Sequence, residues 1–251
     1  MAIDKNSNAF TFGFAFVMVV VVGVILSSLS MGLKPLQLKN EDDKKMIDIL
    51  GAIGVEADRT NAKELFEKYV SERMIVDYNG NLVSSNTGEI DRLDKKDAFN
   101  QDIRAEYRDR TISVEDRSYP LYKCTKNDST FYVIPMIGNG LWAAIWGFVA
   151  LQEDYNTVYG ATFDHKNETP GLGAEINQAS FQSQFKGTKI TDDAGNYKSV
   201  EVRKGGALPG NPHQVDAITG GTITSNGVSE MLYRTLQVYT KYFNSLNEKQ
   251  S

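Results

Sequence analysis

From Thr11 to Leu33 the chain is apolar almost without interruption, and no charge falls between Lys5 and Lys34. A run of that length crosses the roughly 30 Å hydrocarbon layer of a membrane as a helix, the form in which a segment satisfies its own backbone polar groups. The residues before it do not resemble the start of a cleaved signal. Met1–Phe10 carry one lysine, opposed by Asp4, and no Ala-x-Ala site follows the run. Small residues at Ser27, Ser28 and Ser30 keep cleavage open as the alternative. The expectation is a short tail over 1–10 and an uncleaved anchor over 11–33. Lys5 and the terminal amine favour an inside N-terminus, whereas Lys34 and Lys39 favour the reverse, so charge alone leaves the orientation open.

Beyond the anchor the pattern becomes amphipathic. Met46, Ile49, Leu50 and Ile53 share one helical face within 35–54, and Ala62, Leu65, Phe66, Tyr69 and Val70 repeat the theme within 60–73. These predict a helical linker over 34–73. Met74–Val83 reads as two short strands around Asn79-Gly80. Polar residues 85–118 predict loop with a short helix near Lys96–Tyr107. Tyr119–Cys124 and Phe131–Met136 predict paired strands, and Gly138–Leu151 a glycine turn followed by a buried strand. Gly160–Phe163 predicts a further strand, Glu168–Gly173 a tight loop around Pro170-Gly171, and Phe181–Phe185 a turn or two of helix. Tyr197–Val202 alternates weakly before Gly205-Gly206. A last helix over Asn226–Phe243 aligns Val228, Met231, Leu232, Leu236, Tyr239 and Phe243.

Composition removes several function classes. With 27 Lys+Arg against 32 Asp+Glu the net charge is -5, which argues against a non-specific nucleic-acid binder. Cys124 is the single cysteine, so neither an intrachain disulfide nor a dithiol redox pair is available. His165 and His213 are too few and too far apart for a metal centre, so no metal is expected. No Gly-x-Ser-x-Gly elbow or other hydrolase arrangement appears, so no residue is assigned as catalytic.

One stretch invites chemistry: VDAITGGTITSNGVSEML, Val215–Leu232. Gly220 and Gly221 let backbone N–H groups approach an anion, Thr222, Thr224 and Ser225 add hydroxyls, and a helix start contributes unpaired N–H groups and a positive dipole end. Such a place suits a phosphate. It equally suits an ordinary cap, with Thr224 or Ser225 closing the helix. The glycines match neither a Walker loop nor a dinucleotide fingerprint.

Asp216-Ala217-Ile218-Thr219-Gly220-Gly221-Thr222 resembles the flavinylation motif of the FMN-binding domain family, in which the final threonine is esterified to the FMN phosphate. The likeness extends to the anchor, GNGLWAAIWGFVAL and HKNETPGLGAEI, and is greatest to the C subunits of the sodium-translocating NADH:quinone reductases. One departure is Gly221, where the family usually carries alanine. The resemblance implies covalent FMN on Thr222, with Thr219, Gly220, Gly221, Thr224 and Ser225 around it. It also implies a flavin-lining loop of Glu168, Thr169, Gly171, Leu172 and Gly173, with Leu141 and Trp142 near the ring or in the core. Apart from the resemblance, His165 could act as an acid or base, although an electron relay needs none, and Lys204 could offset phosphate charge. The implied fold is α+β: a transmembrane helix, then a periplasmic FMN-binding domain over 74–251 with a twisted, mostly antiparallel sheet. The implied role is electron relay within a multi-subunit redox complex of the bacterial inner membrane, matured by a flavin transferase. The G subunit of a ferredoxin:NAD oxidoreductase and a non-catalytic anchored assembly module remain as alternatives.

Overall fold

The structure is a computed structural model describing residues 7–250. The chain divides into two units, residues 1–44 and a compact unit from Lys45 onward. In the first, helix α1 (Asn8–Ala52) is long and apolar enough to cross a membrane, and Phe12, Phe16, Val19, Leu26 and Leu29 along it are exposed. The expected helices over 11–33 and 35–54 are one element, with Pro35 inside it. Proline removes one intrahelical bond, and the residues on both sides favour helix strongly enough to carry the element through.

In the compact unit, the last turns of α1 bury Met46, Ile49, Leu50 and Ile53, and α2 (Ala62–Tyr69) buries Phe66. The segment 34–73 thus supplies core residues as well as connection. Six antiparallel strands follow in the order β2-β1-β3-β4-β5-β6: β1 (Val70–Val76), β2 (Leu82–Asn86), β3 (Tyr119–Lys126), β4 (Ser129–Asn139), β5 (Ala144–Leu151) and β6 (Val158–His165). The β1–β2 connection is the expected Asn79-Gly80 turn: Asp77 accepts from the backbone N–H groups of Asn79 and Asn81 at 2.9 and 2.8 Å, and Gly80 holds a φ of 86°. The sheet separates two apolar layers. Helix α5 (Thr222–Gln250) lies on one face with Val228, Met231, Leu232, Leu236 and Tyr239; α1, α2, Phe99 and Cys124 fill the other.

Three expectations change in detail. The helix near Lys96–Tyr107 is a 3-10 turn at Ala98–Asn100 followed by α3 (Ile103–Arg108). Of Tyr197–Val202 only the end is strand: β7 (Glu201–Arg203) pairs in parallel with β8 (Gln214–Asp216), while α4 (Ala179–Gln182) falls where the pattern predicts a short helix. Helix α5 begins at Thr222 instead of Asn226, because Thr222–Ser225 contain no helix breaker and the turn is completed at Gly220-Gly221.

The β3–β4 ladder stops short. β3 and β4 pair from Lys126↔Ser129 to Tyr122↔Val133 and no further. Continuing that register would set Pro120 opposite Pro135, and neither ring nitrogen has a proton to extend the ladder. Side chains take the carbonyls instead: the Tyr239 hydroxyl donates to Pro120 O, and Arg234 Nη2 to Ile137 O, each at 2.6 Å.

The polar connection 86–101 is fixed by a buried pair. Arg73 Nη2 donates to Asp97 Oδ2 at 2.7 Å, and its Nη1 donates to Gly88 O at 2.7 Å. Replacing Asp97 with alanine strands that guanidinium, and an expected loss of about 3–5 kcal/mol should appear as a lower urea midpoint.

Candidate functional site

Three segments meet where β4, β6 and β8 end. The first is the Gly140–Ala143 turn between β4 and β5, closed by Gly140 N donating to Ala143 O at 2.8 Å. It presents Leu141 and Trp142 to solvent, 48% and 69% exposed, so neither is a core residue. The second is the loop after β6. Thr169 O accepts from Leu172 N at 3.1 Å and Ala174 N at 3.2 Å, and Gly171 supplies a φ of 75° at the tip. The third is the turn after β8, where Gly221 N donates to Ile218 O at 3.0 Å and Gly220 adopts a φ of 74°. The end of the Leu172 side chain lies where a Cβ on Gly220 would project, so the second and third segments touch there, and the positive φ is what favours glycine.

One carboxylate joins the segments. Glu168 is 6% exposed; its Oε1 accepts from Trp142 N at 3.0 Å, and its Oε2 from the Thr224 hydroxyl at 2.6 Å. Its own N–H donates to His165 Nδ1 at 3.2 Å, which gives that histidine a holding role. A Cβ on Gly140 would meet Glu168 Oε1 at 2.5 Å, and one on Gly173 would strike both Glu168 and Thr224. The two glycines therefore leave the slot the carboxylate fills. Burial pushes the Glu168 carboxyl up, but the Thr224 hydroxyl and the N–H groups of Trp142, Ala143 and Leu141 outweigh it and hold the group below its ordinary value.

The hydroxyls around the α5 start are not equivalent. Thr224 and Ser225 are both buried; Thr224 donates to Glu168, and Ser225 Oγ accepts from Ile218 N at 3.2 Å. Thr222, half-buried at the first helical position, makes no side-chain hydrogen bond among the described residues. Ser225 N donates to Gly221 O at 2.8 Å, which makes Gly221 the residue that opens the helix. The N–H groups of the first turn lack intrahelical partners and lie at the positive end of the helix dipole. Thr219 and Gly220 are exposed beside them.

Leu172 and Ile223, 40% and 57% exposed, add to Leu141 and Trp142 an apolar surface next to these polar donors. That combination fits a flat aromatic group carrying a phosphate. Lys204 is exposed in the turn after β7, whose Arg203 O accepts from Ala217 N at 3.1 Å. Sequence reasoning gives Gly140 only a place in the glycine turn before β5, and Ile223 and Gly227 only a place in the stretch that continues the motif. Asn139 O occupies the place of a Cβ on Gly227, which binds α5 closely to the end of β4. A glycine inside a helix is disfavoured by propensity and is the available signal. Asp216, read as a motif residue, accepts from Ala207 N at 2.7 Å and secures the neighbouring loop. Cys124 lies in the opposite layer, where burial pushes its thiol up to about 12 and keeps it protonated.

This is an FMN-binding domain: residues 140–237 match the family model of that description. The C subunit of the Na(+)-translocating NADH-quinone reductase of Vibrio vulnificus is 35% identical over 209 residues, covering 82% of this chain and 81% of that protein. The corresponding C subunit of Neisseria meningitidis serogroup B is 33% identical over 230 residues, covering 90% and 88%. The crystal structure of the C subunit from Parabacteroides distasonis superposes with a TM-score of 0.71 at 36% identity, covering 84% of this chain and 96% of that one. The chain belongs to the C-subunit family of the Na(+)-translocating NADH-quinone reductases.

Because the folded Glu168 carboxyl titrates below its usual 4.5, its stabilising contribution is fully present above that pH and is lost as pH falls through the lower folded value. Thermal midpoints measured across acidic pH should fall less steeply for Glu168→Gln than for the unaltered chain. Gly173→Ala should disrupt the slot and lower the midpoint at every pH.

Proposed function

We propose that Thr222 holds FMN through a phosphoester and that this chain relays electrons within a membrane Na+-translocating NADH:quinone reductase. The observation that carries the proposal is the uncommitted Thr222 hydroxyl, set at a helix start while Thr224 and Ser225 are engaged inside the fold. Bound FMN supplies redox chemistry through its ring, which a phosphoester leaves unaltered.

The protein's own part is placement. The first-turn N–H groups of α5 receive the phosphate, and Gly220 and Gly221 allow close backbone approach. Leu141, Trp142, Leu172 and Ile223 cover part of the ring and exclude water from it. Thr169 and Gly171 shape the loop at its edge, while Glu168 and Gly173 support both from below. Attachment keeps the group from dissociating and fixes it where electrons arrive and leave.

The apolar part of α1 anchors the chain in the inner membrane, with the domain on the extracytoplasmic side as in its family. With no charge between Lys5 and Lys34, this single helix offers no ion path, so sodium passes through partner subunits. The quinone-reductase relatives favour this complex over the ferredoxin-linked one. A flavin transferase is required to form the ester bond.

The test is covalent flavin fluorescence on a denaturing gel, with the chain expressed in cells that contain a flavin transferase. Thr222→Ala should abolish the fluorescent band, and Thr219→Ala should retain it. A band of undiminished intensity from Thr222→Ala would transfer the attachment to another residue and overturn the proposal.

A further inference from the structure

Glu168 holds three segments together, yet its bonds do not account for its charge. Every group it accepts from is neutral: the Trp142 N–H at 3.0 Å, the Thr224 hydroxyl at 2.6 Å and the flanking N–H groups of Ala143 and Leu141. No lysine or arginine pairs with it among the described residues. The turn 140–143 and the opening of α5, residues 222–229, contain no charged side chain. On its own loop, His165 is bonded through Nδ1 to the Glu168 N–H at 3.2 Å, and Lys166 is exposed. Asp164 accepts from the His165 N–H at 2.8 Å, and Glu175, in the 3-10 turn Gly173–Asn177, accepts from Gly171 N at 2.9 Å.

A glutamine would make much the same bridge. Its carbonyl oxygen accepts from the N–H groups of the turn, and its amide donates to Thr224 Oγ1, since a hydroxyl both donates and accepts. A buried carboxylate without a counter-ion costs more than such an amide. The charge therefore answers to something besides the bridge. Its placement is specific: the carboxylate is bonded to Trp142 and Thr224, and Thr224 stands two residues past Thr222 in the same helical turn. Burial also shields its field from screening by salt and water.

Resting on the reading that FMN is held at Thr222, we propose that Glu168 is a potential-setting residue, whose fixed negative charge lowers the reduction potential of the flavin bound there. Reduction leaves a flavin more negative at neutral pH, and a neighbouring carboxylate disfavours that state relative to the oxidised one. The coupling is reciprocal: the same repulsion makes the Glu168 carboxylate easier to protonate once the flavin is reduced.

The experiment uses the full chain in detergent, made in cells with a flavin transferase, with covalent flavin confirmed on a denaturing gel before each measurement. Redox titration at neutral pH should give Glu168→Gln a more positive midpoint potential than the unaltered chain. Carbon-13 NMR of the Glu168 carboxyl, followed in the unaltered chain as pH falls, should show a higher titration midpoint with the flavin reduced than with it oxidised. That second readout needs no substitution and decides the matter if Glu168→Gln fails to fold; a purely structural bridge would leave the two titrations uncoupled. Equal carboxyl titration in both redox states, or an unchanged or more negative potential in Glu168→Gln, would overturn the proposal and leave the flavin attachment standing. Absence of covalent flavin from the unaltered chain would instead overturn the Thr222 reading, and this proposal with it.

Discussion

The Glu168 carboxylate is the interaction on which the candidate flavin site depends. It draws one bond from the β4–β5 turn and one from the third residue of α5, and it is itself carried by the loop after β6. These segments are far apart in sequence, and each is polar or glycine-rich enough to wander if left alone. A buried charge without partners would be costly, so the segments that satisfy it must stay together. The negative charge also lies inside the protein instead of on the exposed rim. Glu168 is thus a supporting group beneath the surface that Leu141, Trp142, Leu172 and Ile223 present.

Close packing around that bond follows from missing side chains as much as from present ones. Gly140 and Gly173 clear the carboxylate slot, and Gly227 lets α5 meet the backbone of Asn139. The sheet supplies rigidity on one side of the site through the long β4–β5 and β5–β6 pairings. On the other side the ladder stops at the Pro120 and Pro135 positions, and Arg234, Tyr239 and α3 take over as braces. The turn that carries Trp142 is therefore held by hydrogen bonds from side chains as well as by the sheet.

Much of this is legible in the sequence. The membrane-length apolar run, the Asn79-Gly80 hairpin, the strands at Tyr119 and Phe131 and the apolar stripe of α5 all follow from local pattern and turn chemistry. The resemblance of Asp216–Thr222 to a flavinylation motif points to the same end of the sheet. What local pattern does not encode is long-range partnership. Nothing near Thr224 announces that its hydroxyl meets a glutamate 56 residues earlier. Leu141 and Trp142 read equally well as core or as surface, because hydrophobicity does not say which side of a turn is covered. The pattern starts α5 at Asn226, four residues late, since threonine and serine are common both as caps and within a first turn.

The most direct test is mass spectrometry of the intact chain and its peptides, purified from the native membrane of cells that carry a flavin transferase. The account predicts an added mass of FMN less one water, with fragment ions localising it to Thr222. An unmodified Thr222 from such cells, or the same added mass on Thr219 or Thr224, would contradict it.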